Sequence, residues 1–465
     1  MENKSKLSVS YRSVWDALDE QGRAAVMATG EDYKRFLDAG KTERLCAAEI
    51  IRRAEAQGYA DIATKTKLVP GDKVYSLSRG KTAVLAVIGS EPVAAGVSIV
   101  GSHIDSPRLD LKQNPLYEDS GLALFKTHYY GGIRKYQWVA RPLALCGVVV
   151  LRDGSRVEVN IGDGADDPVF YITDLLPHLA AEQNKKTLAE GVEGEALNLL
   201  AGSVPEGGEE EKNRVRERVL GLLHAKYGMT EEDFVSAELE AVPAGFARDV
   251  GLDRGLIASY GHDDRVCAYA SMKALFEMKG GKKTAVALFA DKEEVGSQGS
   301  TGMHSRYFAN LLGRMIELQE GVCGGCAVDR ALAASAMLSA DVAAGFDPTY
   351  PSVAEKNNTA FIGRGVTMVK YTGARGKSGS NDANAEFVGA VRKIFNDAGV
   401  VWQTSELGKV DAGGGGTIAY ILANCDMDVL DMGVPVLSMH APCEIVSKAD
   451  VYMTARAYRA FYEAR

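Results

Sequence analysis

Acidic side chains follow a short apolar run in the segment Thr284–Ser300, TAVALFADKEEVGSQGS. The run Ala285–Ala290 has strand character, and it breaks into polar residues that include the adjacent pair Glu293 and Glu294. Two neighbouring glutamates at the end of a buried strand lose hydration and repel each other, unless a cation or a shared proton offsets the cost. Because open α/β sheets bind ligands at the carboxyl edge of their strands, this pair predicts a ligand site at such an edge.

Histidine and carboxylate residues follow other apolar runs in the same way. They are His103 after VSIVGS, Asp341 after AMLSA and His440 after VPVLSM, with the pair Asp263 and Asp264 at the start of a predicted helix. Because parallel strands end at one edge of a sheet, we expect these groups to converge. Histidines and carboxylates without cysteine suit zinc, with manganese or cobalt as alternatives. Two ions about 3.5–4 Å apart would need one bridging carboxylate.

Each of these residues also has a structural interpretation. A histidine at the end of a strand is often a hydrogen-bonded structural residue, and an aspartate at a helix start, such as Asp263 or Asp264, is often an N-cap. A loop with two adjacent glutamates also occurs by chance. The recurrence of such residues after apolar runs in one alternating pattern favours a shared site.

Strands and helices alternate in two parts of the chain and give way to strand-like pieces between them. This pattern predicts an α/β fold with a three-layer, mostly parallel sheet and helices on both faces, interrupted by an inserted β-rich domain. We expect the first part at 1–108, the insert at 109–249 and the second part at 250–465. Thr82–Gly89 and Gly96–Lys112 read as strands, and TDLLPHLAAEQ, which contains His178, reads as a helix.

The composition is that of an ordinary globular protein of 465 residues, with 46% hydrophobic and 25% charged residues. The net charge of −9 argues against nucleic acid or an anionic membrane as the main partner. We find no signal core and no run long enough to span a bilayer, and seven cysteines make no disulfide framework, so we expect a cytoplasmic protein. Cys323 and Cys326 form one CxxC, a weak indication of a metal or redox site without a second pair.

The motifs carry a resemblance to a known family. In order, they are GSHIDSPRLDLKQNPLYE, HDDR at His262–Arg265, DKEEVGSQGS, SADV and PVLSMHAPCE. Their order and spacing resemble the aspartyl aminopeptidase (aminopeptidase I) family of dinuclear zinc exopeptidases, and look most similar to its bacterial branch. The resemblance covers nearly the whole chain.

The resemblance implies a role for each site residue. His103 and Asp341 would bind one zinc, Glu294 and His440 the other, and Asp263 would bridge the two. Glu293 would be the general base, and Asp105 would orient the imidazole of His103. The family also implies that the insert is a dimerisation domain of a tetrahedral dodecamer built from dimers. His178 would reach a neighbouring subunit's site, with His128 as a weaker alternative and a surface histidine as the structural one.

The sequence differs from the family at positions where the resemblance implies contact with the substrate. Ala344 and Asp347 stand where many relatives have histidines, and KYTGARGKSGSND replaces a Gln-Arg-Tyr motif. Lys370, Arg375 and Lys377 are candidates for binding an acidic substrate side chain, and each also reads as a solvated surface charge. The preference for Asp or Glu therefore stays open against a neutral or broad one. The glycines Gly413–Gly416 lack the pattern of a nucleotide-binding loop and predict close backbone approach.

These observations together predict a metal-dependent aminopeptidase acting on peptides, with two divalent ions per subunit. One alternative is a related dinuclear hydrolase, either a glutamyl-type aminopeptidase or a deacylase. The other is an inactive shell-forming relative, which the presence of Glu293 beside a full ligand set disfavours.

Overall fold

Residues 7–164 and 166–465 are described by the computed structural model of the chain. Their contacts divide them into two units. The first unit contains the described chain up to Asp105, Ala247–Met439 and Glu444–Arg465. The second contains Ser106–Phe246 and His440–Cys443.

Several α-helices of the described residues begin at side chains that cap their first turn. Asp19 caps one helix by accepting from the N–H of Gly22, and Ser447 caps the last by accepting from Ala449. The helices are α1 (Val14–Ala17), α2 (Glu20–Ala39), α3 (Glu43–Ala56), α4 (Arg214–Tyr227), α5 (His262–Glu277), α6 (Tyr307–Glu320), α7 (Ala327–Ala333), α8 (Ala385–Asp397), α9 (Ala419–Ala423) and α10 (Lys448–Ala464).

The strands are numbered in chain order. They are β1 (Ala60–Asp61), β2 (Lys73–Ser78), β3 (Thr82–Val87), β4 (Ser98–His103), β5 (Arg108–Asp119), β6 (Leu122–Tyr130), β7 (Pro142–Val150), β8 (Arg156–Ile161), β9 (Phe170–Tyr171), β10 (Leu199–Gly202), β11 (Ala237–Pro243), β12 (Arg248–Val250), β13 (Leu256–Ser259), β14 (Ala285–Ala290), β15 (Ala336–Ser339), β16 (Ala343–Ala344), β17 (Val366–Val369), β18 (Gly373–Ala374), β19 (Trp402–Thr404), β20 (Gly414–Gly415), β21 (Asp428–Gly433), β22 (Pro435–Leu437) and β23 (Glu444–Ser447).

The first unit is built on a nine-stranded sheet in the order β1-β2-β3-β14-β4-β15-β21-β17-β19. Its central strands β14, β4, β15 and β21 run parallel, whereas β2–β3, β3–β14 and β17–β21 pair antiparallel. A five-stranded sheet, β12-β13-β23-β22-β16, and the short pair β18–β20 complete the strands of this unit. The chain therefore has a mixed α/β fold.

Strand β14 shows why the centre of the sheet is apolar. All six of its residues are buried, and alternate residues join two different apolar clusters. Ala287 and Phe289 belong to the cluster that includes residues of α2, α5 and α10, while Val286 and Leu288 belong to the cluster of α6, α7 and α9. A strand covered on both faces reads as a continuous apolar run, and truncating Phe289 to alanine is expected to cost about 3–5 kcal/mol.

The second unit is built on a seven-stranded sheet in the order β11-β5-β6-β10-β9-β7-β8. Strand β11 also pairs with β7 over seven residues, so six strands close into a ring and β8 lies outside it. Closure leaves few unpaired strand edges. Helix α4 contacts β10, β6 and β5 of the same unit.

Two local predictions are wrong. Gly96–Lys112 is not one strand, because β4 ends at His103 and β5 begins at Arg108, with Pro107 in the break. The segment Thr173–Gln183 is not an α-helix: Pro177–Leu179 makes a 3₁₀ turn, and a second such turn, Gln183–Lys185, begins at its last residue. Pro177 holds the preceding Leu176 in an extended conformation (φ −68°, ψ 151°), which prevents a helix from continuing through it.

Among the described residues, no helix combines the length and the apolarity that a membrane crossing requires.

Candidate metal centre

Parallel register brings several of the predicted residues to one edge of the large sheet. In the ladder between β4 and β14, His103 lies opposite Ala290, three positions before Glu293. In the ladder between β4 and β15, Gly101 lies opposite Ser339, two positions before Asp341. The carboxyl ends of three adjacent strands therefore present a histidine, two glutamates and an aspartate at the same level.

The first group of possible metal ligands is His103, Asp263 and Asp341, whose ligand atoms lie within 4.8 Å of one another. The Nε2 atom of His103 is 3.1 Å from Oδ1 of Asp263 and 3.9 Å from Oδ1 of Asp341. The His103 side chain is 2% exposed and the Asp341 side chain 12%. These residues thus face one another in a space nearly closed to water.

The second group is Asp263, Glu294 and His440, whose ligand atoms also lie within 4.8 Å of one another. Asp263 belongs to both groups. The Nδ1 atom of His440 donates to the carbonyl of Gly132 at 2.9 Å, which directs its other ring nitrogen away from that carbonyl. All five residues that the sequence predicts as metal ligands are therefore members of one group or the other.

Asp263 is positioned by the backbone at the start of α5. Its φ and ψ angles (−78°, 107°) depart from the helix, so its side chain leaves the helical path. Its backbone N–H donates to Oε2 of Glu444 at 3.0 Å. Just before the helix, Gly261 has φ +73°, and a Cβ there would overlap the guanidinium of Arg265, so only glycine fits.

Asp105 links the histidine to the two glutamates. The Nδ1 atom of His103 donates to the backbone carbonyl of Asp105 at 3.0 Å and lies 3.3 Å from its Oδ1. The two carboxylate oxygens accept from the backbone N–H groups of Glu293 (3.1 Å) and Glu294 (3.2 Å). Fully buried Asp105 thus fixes the tautomer of the imidazole and the turn that carries both glutamates.

Glu293 stands at the rim of these groups. Its Oε2 is 3.9 Å from Nε2 of His103, and its side chain is 17% exposed, more than that of His103. It is a member of neither ligand group. A carboxylate in this place can exchange a proton with a molecule beside the ligands while remaining open to water.

The electrostatics of the site show unbalanced negative charge. Burial raises the pKa of Asp341 well above its usual value, and the charges of Glu293, Asp264 and Asp263 raise it further, against the opposing effect of His103. Burial alone would lower the pKa of His103, but hydrogen bonds with Asp105 and Asp263 and the charge of Glu293 raise it well above its usual value. Buried carboxylates that resist ionisation next to an imidazole fit a cation, whose charge would offset their repulsion.

Two of the three residues predicted to recognise an acidic substrate bind another side chain of the chain. The Nζ atoms of Lys370 and Lys377 bind the two oxygens of Asp382 at 2.7 and 3.0 Å. Lys377 also lies 3.7 Å from the ring centroid of Tyr371. Arg375 is exposed, in the same surface loop.

The two histidines considered for a neighbouring site are both exposed. His178 lies on the 3₁₀ turn Pro177–Leu179, and His128 lies on β6, where its Nδ1 donates to the carbonyl of Tyr129 at 2.8 Å.

The glycine run serves close backbone approach, as its composition predicts. Gly414 and Gly415 form β20, paired with β18, and a Cβ at Gly414 would lie 2.6 Å from the Cα of Ala374. A Cβ at Gly413 would overlap the carbonyl of Leu407.

Glu444 is the residue of the site that sequence reasoning did not single out. It is 1% exposed and accepts the backbone N–H of Asp263, yet it stands within the motif PVLSMHAPCE. The available signal was a glutamate at the start of the buried strand β23, since a buried carboxylate needs a partner.

Comparison with known proteins identifies a family that matches most of the chain. Residues 36–462 match the family model described as aminopeptidase I zinc metalloprotease (M18). A protein named "Probable M18 family aminopeptidase 1" from Clostridium acetobutylicum is 52% identical over 458 residues, covering 97% of this chain and 98% of the relative.

Solved structures of M18-family aminopeptidases have the same fold as this chain. The crystal structure of an M18-family aminopeptidase from Thermotoga maritima superposes with a TM-score of 0.94 at 44% identity, covering 98% of this chain and 100% of that one. Aminopeptidase I from Clostridium acetobutylicum gives a TM-score of 0.91 at 50% identity, with the same coverage. A structure of the S. cerevisiae mApe1 dodecamer gives 0.75 at 18% identity, covering 93% and 95%, and at that identity it shows the fold alone.

Proposed function

This chain belongs to the aminopeptidase I zinc metalloprotease (M18) family and is a metal-dependent aminopeptidase, and from that premise we propose that it removes N-terminal residues from peptides with two divalent ions and a glutamate base. The observation that carries this proposal is the sharing of Asp263 between two groups of ligand atoms. A bridging carboxylate with separate ligands on either side is the arrangement that a two-metal site requires.

His103 and Asp341 would hold one ion, Glu294 and His440 the other, and Asp263 both. Zinc suits these nitrogen and oxygen ligands, with manganese or cobalt as alternatives. When bound, the ions would supply Lewis-acid polarisation of the scissile carbonyl and a more acidic water. Asp105 and Glu444 would position the ligands, since one fixes the ring of His103 and the other accepts the N–H of Asp263.

Glu293 would act as the general base. It would take a proton from the attacking water and return that proton to the leaving amine. Its place 3.9 Å from the imidazole of His103 and outside both ligand groups supports this role. The carboxylates of the site would also attract the free α-amino group of the substrate, which confines cleavage to the N-terminus.

For specificity we propose a neutral or broad preference rather than one restricted to Asp and Glu. The pairing of Lys370 and Lys377 with Asp382 supports this, because a paired ammonium group offers less charge to a substrate carboxylate.

We further propose that the chain assembles through 109–249 into dimers and then into a tetrahedral dodecamer, with His178 reaching a neighbour's site. Three leucines beside His178 support a covered surface there: Leu175, Leu176 and Leu179 are 51%, 50% and 68% exposed. The related S. cerevisiae mApe1 structure is a dodecamer. A reducing cytoplasm is the proposed location, in keeping with cysteines that are all unbridged.

The test is a substrate panel. The metal-loaded chain is assayed on peptides that begin with Asp, Glu or Leu, and on N-acetylated counterparts, before and after chelation and return of the ions. We expect release of free N-terminal residues, no release from acetylated peptides, and recovery with the ions. Release of acyl groups alone would make the chain a deacylase, and no release from any peptide would favour the inactive shell.

A further inference from the structure

Cys323 and Cys326 form a pair of thiols that the proposed chemistry does not use. They stand in the sequence CGGC, in the connection between α6 and α7. All seven cysteines are unbridged, and Cys46, Cys146 and Cys267 are buried. Cys326 is exposed and therefore open to reagents in solution, whereas Cys323 is half-buried.

Cys323 is held against α6. Its Sγ lies 3.8 Å from the position that a Cβ on Gly313 would take, and Cγ2 of Val328 lies 3.2 Å from the same position. Both side chains therefore fill the space above a glycine in α6, and both pack on the apolar cluster of that face. This packing limits access to the Cys323 sulfur from solvent.

The connection between the two thiols can rearrange. Apart from the glycine itself and its two chain neighbours, no described residue has an atom within 4 Å of a Cβ built on Gly324 or Gly325, so neither glycine is packed against another part of the described chain. The carbonyl of Gly324 accepts from the N–H of Ala327 at 3.2 Å, which makes a turn directly before α7. Two glycines in an open turn give the backbone the freedom to bring two Cα atoms to the roughly 4.4–6.8 Å that a disulfide needs.

We propose that Cys323 and Cys326 are a dithiol–disulfide site whose co-reactant is a low-molecular-weight disulfide of the glutathione class. The exposed Cys326 thiolate attacks one sulfur of that disulfide, forms a mixed disulfide and releases one thiolate. The Cys323 thiolate then attacks the Cys326 sulfur, closes the intramolecular disulfide and releases the second thiolate. Two electrons pass to the external disulfide, and the two protons of the cysteines end on the two released thiols.

Exposure assigns the order of the two steps. The reagent meets Cys326 first, because Cys323 is partly covered by α6 and Val328. Cys323 is the resolving thiol, since an intramolecular attack needs only the turn to close. The site is independent of the metal-binding residues and does not rest on the proposed function.

The experiment treats the full, metal-loaded chain with excess oxidised glutathione, blocks the remaining thiols with an alkylating reagent, and maps the peptides by mass spectrometry. We expect a Cys323–Cys326 disulfide with two hydrogens lost, reversed by dithiothreitol. Cys443→Ser, which removes another exposed thiol, is the matched control and should leave this product unchanged.

Single variants test the order. Cys323→Ser should keep a stable glutathione adduct on Cys326, because nothing resolves it, whereas Cys326→Ser should leave Cys323 largely unmodified. A wild-type chain that stays reduced, or that stops at a stable mixed disulfide, overturns the proposal. Adduct formation on Cys323 at the rate seen for Cys326 overturns the assigned order.

Discussion

The Nε2 atom of His103 lies 3.1 Å from Oδ1 of Asp263, although 160 positions separate the two residues. The histidine ends a strand of the large sheet, and the aspartate leaves the first turn of α5. The histidine belongs to β4 and the aspartate to α5, and most residues of both elements are buried. The packing of these two elements therefore fixes the contact between the two side chains. The residues around this contact should therefore respond to substitution in different and measurable ways.

Glu293→Gln should abolish most turnover and leave the metal content unchanged. Glutamine cannot accept the proton of the attacking water, and general-base catalysis contributes typically about 10²–10⁴-fold. The measurement is kcat on an N-terminally free peptide, together with the metal content of the same sample. Glu386→Gln, an exposed change on α8, is the matched control and should behave as wild type. A Glu293→Gln chain with full kcat would remove this residue from the mechanism.

Asp105→Asn should weaken metal binding as well as turnover. The asparagine has one acceptor oxygen, so it cannot satisfy the N–H groups of both Glu293 and Glu294, and its amide sits against the ring of His103. Loss of a group that orients ligands costs about 10–100-fold in metal affinity or activity. Competition with a chelator of known affinity measures the metal affinity, and kcat measures the turnover. An affinity equal to wild type would show that the turn is held by other contacts.

Lys370→Ala and Lys377→Ala should change substrate preference little. Both side chains are about half exposed and bind Asp382, and an exposed ion pair of either lysine with a substrate carboxylate would contribute about 1 kcal/mol or less. The ratio of kcat/KM for peptides that begin with Glu and with Leu should therefore move less than about tenfold. A selective collapse of activity on the acidic peptide in either variant would restore these lysines as specificity residues.

Asp450 should make the stability of the chain depend on pH. Burial raises its pKa to about 7, against the lowering effect of the N–H groups of Gly363 and Gly365, which its carboxylate accepts at 2.7 Å each. The folded chain holds this proton more tightly than the unfolded chain. The contribution of Asp450 to the free energy of unfolding is therefore fully present below its ordinary pKa of 3.8, and it is lost as the pH rises through about 7. Each unit of pKa difference corresponds to about 1.4 kcal/mol.

Asp450→Asn isolates this effect, because asparagine stays neutral. Its free energy of unfolding, compared with that of wild type, should rise from pH 5 to pH 8 in urea titrations. Asp397→Asn, an exposed change, should show no such trend. If Asp450→Asn instead loses stability relative to wild type over this range, the two backbone donors outweigh burial and hold the carboxylate of Asp450 ionised.

Predictions from the sequence were most accurate where an uninterrupted apolar run is followed by charged residues. The bounds of β14, Ala285–Ala290, coincide with the apolar run that ends in charged residues. The same signal predicted that His103, Glu294 and Asp341 lie together, because side chains that follow neighbouring parallel strands meet at one edge of a sheet. It does not account for His440, which follows β22 of the five-stranded sheet, or for Asp263, which lies in the first turn of α5. Both the family and the metal-dependent aminopeptidase activity expected from the motifs are confirmed.

Predictions from local sequence patterns failed where a single proline, or a residue distant in sequence, determines the local structure. Pro177 stopped the helix that the apolar spacing of Thr173–Gln183 predicted. The acceptor role of Glu444 depends on a backbone N–H more than 180 positions away in sequence, which no local pattern contains. The engagement of Lys370 and Lys377 by Asp382 arises from a loop that returns on itself, so composition alone could not separate a substrate-binding cation from a paired one.

The most direct test of the two-ion centre is the metal content of the purified chain after saturation with zinc and removal of excess, measured by mass spectrometry of the elements. We predict two ions per wild-type chain, about one in His103→Ala and in His440→Ala, and fewer than two in Asp263→Asn because the bridge serves both ions. Glu386→Gln should retain two. A single ion in the wild type, or two ions in Asp263→Asn, would contradict a centre in which Asp263 bridges two metals.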